Sequence, residues 1–237
     1  MTDARWREDL PAAARPFSIG VTWGLVTGLL VGGVGGRVAM FVLRLTSSGA
    51  LHGVETDDGA IIGEISFATI FLLLVASAVG VLGGVLYVVI RDWLPRRGRA
   101  AVAAGFGAIV GGAELLKPAG LDFTALAPLW LAVALFVAIP AGYGAVTSVL
   151  VERRLAGDAP SSVGWATIVP LVVLFLLGPV GFAIVGVAVI AWMLVRRWPS
   201  AGAVWRSPAV AWIGRCVLAG FAAVRLAELV SDVGDIL

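Results

Sequence analysis

The chain has 237 residues, 60% of them hydrophobic and 14% charged, with a mean hydropathy of +1.01. A soluble domain carries about 25% charged residues, and here the apolar residues fall in blocks of about 18 or more, the length a bilayer requires, so the fold class is all-α, a polytopic transmembrane helix bundle. The net charge of +2 is too small for a nucleic-acid partner. The single Cys216 excludes an internal disulfide or a cysteine-based cluster, and the single His52 excludes a multi-histidine haem, zinc or copper site, so no cofactor is expected.

Residues 1–16 read as a cytoplasmic N-terminal segment, with Arg5, Arg7 and Arg15 set against Asp3, Glu8 and Asp9. Trp6 and Leu10 suit a short interfacial helix ended near Pro11 or Pro16. A cleavable leader is not expected, because the apolar run that follows is too long for one. Residues 17–237 form one transmembrane domain.

Span one covers 17–43. Glycine stands at 20, 24, 28, 32 and 36, and four-residue spacing puts all five on one helical stripe. In water each interior glycine costs about 1 kcal/mol relative to alanine. In a bilayer the stripe instead lets a second helix approach until the main chains touch. The first helix is therefore expected to be a glycine zipper, with Gly20, Gly24, Gly28, Gly32 and Gly36 as packing residues. The run Gly32-Gly33-Val34-Gly35-Gly36-Arg37 carries two readings. One is a continuous helix whose glycines only permit close packing. The other is a helix unwound at depth, with free amides beside Arg37 that hold an anion, as broken helices do in transporters. The run lacks the Lys-Ser/Thr ending of a phosphate loop.

The link 46–64 holds His52, Glu55, Asp57, Asp58 and, at its end, Glu64. It reads as a solvated acidic turn, or as carboxylates for a divalent cation without EF-hand spacing. Span two covers 66–90 and is followed by Arg91, Arg96, Arg97 and Arg99. Span three, 100–116, is short, with small residues at 100, 104, 108 and 112. Span four, 125–150, carries Pro140 and Gly142 and is followed by Arg153 and Arg154. The stretch 163–195 would be about 50 Å long as one helix, against a hydrocarbon core near 30 Å. Gly178-Pro179 within it is a helix-stop signal. Two spans are expected, 162–177 and 181–197, with one kinked helix as the alternative. The last span, 208–229, contains Arg215, Arg225 and Glu228. It contains no lysine, which excludes a retinal Schiff base.

Arginine placement favours seven spans over six. With seven and the N-terminus inside, the cytoplasmic segments hold Arg5, Arg7, Arg15, Arg91, Arg96, Arg97, Arg99, Arg153, Arg154, Arg196, Arg197 and Arg206, against Arg44 and Lys117 outside. With six, Arg196, Arg197 and Arg206 move to the outer side. With seven spans and the N-terminus in the cytoplasm, the C-terminus is expected outside. Tryptophans 6, 93, 165, 192, 198 and 205 fall at one interface level, as an aromatic belt does.

The intramembrane charges collect near the outer side. Arg37 lies about 10 Å from Arg44 along its helix. Glu64 opens span two, Glu114 and Lys117 close span three, and Arg225 and Glu228 close the last span. Ionisable groups at membrane depth face a partner or a wet cavity. An outward-facing polar pocket is expected, with Arg37 at its floor and Glu64, Glu114 and Glu228 as ligand-binding partners. The alternative is that the terminal charges reach the headgroups and that Arg225 and Glu228, three apart, pair locally. Arg215 is expected to snorkel. No catalytic constellation is present: no nucleophile stands beside His52, and no metal site is expected.

Gly35-Gly36-Arg37-Val38-Ala39-Met40, followed by Thr56-Asp57-Asp58-Gly59 and Gly63-Glu64, resembles a group of small multi-pass membrane proteins of actinobacterial type, over residues 20–95. The resemblance implies a bacterial plasma membrane and no activity. The expectation is a permease or channel-like protein for a small solute or ion. Its rival is a non-catalytic scaffold or accessory subunit. The expected partners are the lipid bilayer and either a second copy of the chain or a larger membrane complex.

Overall fold

The long apolar runs fold as helices that lie side by side. The computed structural model describes residues 4–47, 67–120, 127–157, 178, 186 and 204–237, and these contain no strands. Helix α1 is Ala4–Thr27, followed without a break by a π-helical turn, Gly28–Val34, and by α2, Gly35–Thr46. Helix α3 is Phe67–Ile90. Next come α4, Arg99–Phe106, a second π turn, Gly107–Gly111, and α5, Gly112–Leu115. Helix α6 is Leu129–Ala156 and α7 is Pro208–Ile236. Among the described residues, four segments are long and apolar enough to cross a membrane: Arg15–Thr46, Thr69–Ile90, Leu129–Ala156 and Pro208–Ile236. The α4–α5 unit, expected as span three, is about 25 Å long, short of the hydrocarbon core.

Helix α1 begins at Ala4 and runs through both Pro11 and Pro16, where an interfacial helix was expected to stop. Each proline removes one N–H from the ladder but does not end it. The expected spans 162–177 and 181–197, and the link with His52, Glu55, Asp57, Asp58 and Glu64, lie outside the described residues. Between those two spans Gly178 is described. Its φ of 54° is left-handed, the region that favours glycine.

Side-chain contacts give each helix a direction. Gly20 and Gly24 of α1 and Gly28 at the start of the π turn meet Gly84, Gly80 and Ala76 of α3, so α1 and α3 run antiparallel. Tyr143 donates to the Gly80 carbonyl and Tyr87 to Glu152, so α6 runs parallel to α3. Gly107 lies on Pro140 and Gly144 on Ala103, so α4–α5 runs antiparallel to α6. Phe106 packs near Phe221, with ring centroids 6.1 Å apart, and Leu229 lies over Gly112, so α7 runs parallel to α4–α5. Consequently α6 ends and α7 begins at the same end of the bundle. Ser207 caps α7 by accepting from the Val210 amide, with Pro208 in the first turn where its missing N–H is harmless.

The glycine stripe is interrupted by the π turn. A Cβ on Gly20 would lie 2.8 Å from the Gly84 carbonyl oxygen, and one on Gly28 would lie 2.5 Å from that of Ala76. A Cβ on Gly24 would collide with the Gly80 carbonyl. Within the turn the close approach passes to Gly33, against Leu73. Gly32 keeps only ordinary contact with Ala76, and Gly36 meets nothing within 4 Å. A π turn accommodates one more residue than an α turn, so the register moves on by one and the last stripe positions rotate away from α3.

Candidate functional site

Polar side chains concentrate at three levels of the bundle. The first is the end where α3 and α6 finish and α4 begins. Glu152, on the last turns of α6, accepts four hydrogen bonds. Arg91 donates through Nε at 2.8 Å and Nη2 at 2.9 Å, Arg99 through Nη1 at 2.8 Å, and the Tyr87 hydroxyl at 3.0 Å. The fork of Arg91 matches both carboxylate oxygens. That bond holds the Arg91 guanidinium above the usual arginine range, so it stays a cation at any physiological pH. Arg15 reaches from α1 to the carbonyls of Arg154 and Gly157, where cations suit a helix C-terminus. Arg154 sits 5.1 Å above the Trp23 ring. Trp93 and Trp205 stack with centroids 4.5 Å apart, and Trp93 covers Gly214.

The second level is mid-bundle. Thr27 and Thr147 share a hydrogen bond of 2.6 Å, and Tyr143 donates to the Gly80 carbonyl at 2.6 Å. The threonine pair ties α1 to α6, and the tyrosine ties α3 to α6. Every one of these hydroxyls is satisfied within the protein, as buried polar groups must be away from water.

Between these levels lies a cavity of about 430 Å³, bounded by α3, α4, α6 and α7. Its walls are Leu86, Val102, Phe106, Leu218 and the small residues between them. Tyr143 and Thr147 stand at one side, and Arg215 supplies a guanidinium. No carboxylate lines it among the described residues. Arg215 donates through Nε to the Trp93 carbonyl at 2.6 Å and lies 5.6 Å from the Trp212 ring.

The third level is the opposite end, where an outward pocket was expected. Arg225 is bound there by Glu228, three residues on, at 2.6 Å and by Glu114 of α5 at 2.7 Å. Glu114 and Glu228 are thus brought together, by an arginine that was read as a local pairing partner. Arg37 is not in their ion-pair group. It forms no ion pair with any described residue, and its Nε is buried without a hydrogen-bond partner. Glu64 lies outside the described residues.

Sequence reasoning passed over Glu152, Tyr87, Tyr143 and Thr147. The available signal for Glu152 was its place as the only acid of helix α6, immediately before Arg153-Arg154. For Arg215 the snorkelling direction was read, but not the cavity it borders. No family model, curated protein or solved structure matches the chain.

Proposed function

We propose that the chain is a small permease or channel-like protein of the bacterial plasma membrane, whose solute contact is Arg37. The observation that carries the reading is the buried, unpartnered Nε of Arg37 on a helix of membrane-spanning length. A guanidinium at such depth costs at least a few kcal/mol. A bound anion supplies the acceptors that no described side chain supplies. The π turn Gly28–Val34, one turn before Arg37, fits the same reading, since such turns gather at functional sites. Glu114 and Glu228, both paired with Arg225, then serve as a brace at the mouth and not as ligands.

The orientation we favour places the N-terminus and the arginine-rich end in the cytoplasm and the C-terminus outside. Seven spans fit the helix directions better than six. The segment between α6 and α7 leaves and returns at one end of the bundle, which requires an even number of crossings there.

The test is purified protein in proteoliposomes, with flux of chloride, nitrate, phosphate and small carboxylates measured alongside thermal stabilisation by each anion. Arg37→Ala is expected to remove both the flux and the stabilisation, and Arg37→Lys to retain part of the stabilisation. Unchanged behaviour of both variants refutes the reading.

The scaffold reading draws on one different feature. Helix α7 leaves Trp212 and Ile213 each 64% exposed and Val230 63% exposed, a broad apolar flank open to lipid or to a neighbouring subunit. Native mass spectrometry from mild detergent separates the two. Stoichiometric foreign subunits support the scaffold, and a lone chain or closed homo-oligomer supports permeation.

A further inference from the structure

The cavity between α3, α4, α6 and α7 has the form of a lipid site. It extends over Gly83–Ile90 on α3, 102–109 on the α4 side and 215–222 on α7, each about 10 Å at 1.5 Å per residue. Leu94 and Pro95 add a rim. This depth fits within one leaflet, half of a hydrocarbon core of about 30 Å. The walls are almost wholly apolar, and the hydroxyls of the lining residues Tyr87, Tyr143 and Thr147 are already spent on Glu152, Gly80 and Thr27. Water has little to bind there, whereas a hydrocarbon chain has a matching surface.

The charge is one-sided. Arg215 stands at the rim end with no carboxylate partner among the described residues. Arg96 and Arg97 are exposed on the adjoining loop, against the single exposed Asp92. Arg91 and Arg99 are held by Glu152 and so are not free to bind a ligand. Trp93, Trp205 and Trp212 surround the rim, the residue type that settles at headgroup level.

We propose that this cavity binds one anionic glycerophospholipid, with an acyl chain along Leu86, Val102 and Phe106 and its phosphate on Arg215. The proposal rests on membrane insertion but not on the role of Arg37.

Three variants probe it. Gly105 lines the cavity, and a Cβ there meets nothing within 4 Å, so Gly105→Leu fills the space without straining a helix contact. Arg215→Gln removes the charge, and Arg215→Lys keeps it. The protein is reconstituted into nanodiscs of equal phosphatidylglycerol and phosphatidylcholine, released into mild detergent, and its retained lipids are read by native mass spectrometry. Wild type is expected to keep one phosphatidylglycerol. Gly105→Leu is expected to lose it, and Arg215→Gln to lower the preference for phosphatidylglycerol roughly tenfold, the value of one charge-assisted phosphate contact. Arg215→Lys should retain most of the preference.

Retention of no lipid by wild type overturns the proposal and shows the cavity empty or covered by residues 158–203. Equal retention of both lipids, or an undiminished lipid signal in Gly105→Leu, overturns it as well. If the chain is extracted from membranes by carbonate and fails to enter nanodiscs, membrane insertion itself is wrong. Loss of Arg37-dependent flux leaves the lipid result untouched.

Discussion

Gly24→Leu is expected to leave no folded protein in detergent, and Gly24→Ala to lower the melting temperature by about 10 °C in a size-exclusion thermostability assay. The reason is the kind of atom that an added Cβ meets. At Gly24 it meets the carbonyl of Gly80 and lies 3.0 Å from the Gly84 Cα. Those are backbone atoms of a helix, and no rotamer change can move them. From the other side, a Cβ on Gly80 would lie 2.6 Å from the Gly28 Cα. Either change forces α1 and α3 apart along their whole contact, a cost of about 3 kcal/mol or more for a single methyl. Gly36→Leu is the control. It lies on the same sequence stripe but meets nothing within 4 Å, so it should melt as the wild type does. Equal losses at 24 and 36 would show that added bulk anywhere on this helix, not the α1–α3 contact, sets the stability, because helix propensity alone would favour both changes. The contact is made within one chain, so these losses should not depend on protein concentration.

Glu152→Gln is expected to be the most damaging change of charge, at about 2–4 kcal/mol. One neutral amide would replace a carboxylate that serves two guanidiniums and a phenol. Glu152 is 29% exposed at its side chain, and Arg91 and Arg99 are 22% and 13% exposed, so water relieves the two stranded cations only in part. Arg99→Gln in the Glu152→Gln background should recover stability, because it removes one of the cations left without a counter-charge. A double-mutant cycle in thermal melts measures that coupling. At the other end, where the Glu114 and Glu228 side chains are 69% and 48% exposed, Arg225→Gln should cost less than about 1 kcal/mol. If it costs as much as Glu152→Gln, the assignment of the main electrostatic clamp is wrong.

Much of the helix layout was legible because bilayer-length apolar runs and arginine clusters are coarse signals. The segments around 17–43, 66–90, 125–150 and 208–229 coincide with helices long and apolar enough to cross a membrane. The same coarseness hid the π turns. A four-residue glycine repeat looks continuous in sequence, and only the packing of α1 on α3 shows where the register slips from Gly32 to Gly33. The prolines at 11 and 16 misled for a related reason. Their preference is local, and a helix tolerates the loss of single bonds. Glu152 was hidden by the arginines around it, since counting Lys and Arg gives a lone acid no weight. The cavity at Arg215 could not be read at all, because its walls come from four segments spread across more than a hundred residues of chain.

The Glu152 clamp also has an order in time. Its carboxylate is made 61 residues after Arg91 and 53 after Arg99. At ordinary rates of synthesis that interval is roughly 3–12 s. In the orientation proposed above, both arginines are without their partner while the ribosome covers it and would act as unmasked basic signals, the kind that sets which way a hairpin of helices enters the bilayer. When helix α6 arrives, the same two charges are withdrawn from that role and become a latch between three helices. On that reading the nascent chain uses Arg91 and Arg99 twice, first to choose a side and then, through Glu152, to hold three helices together.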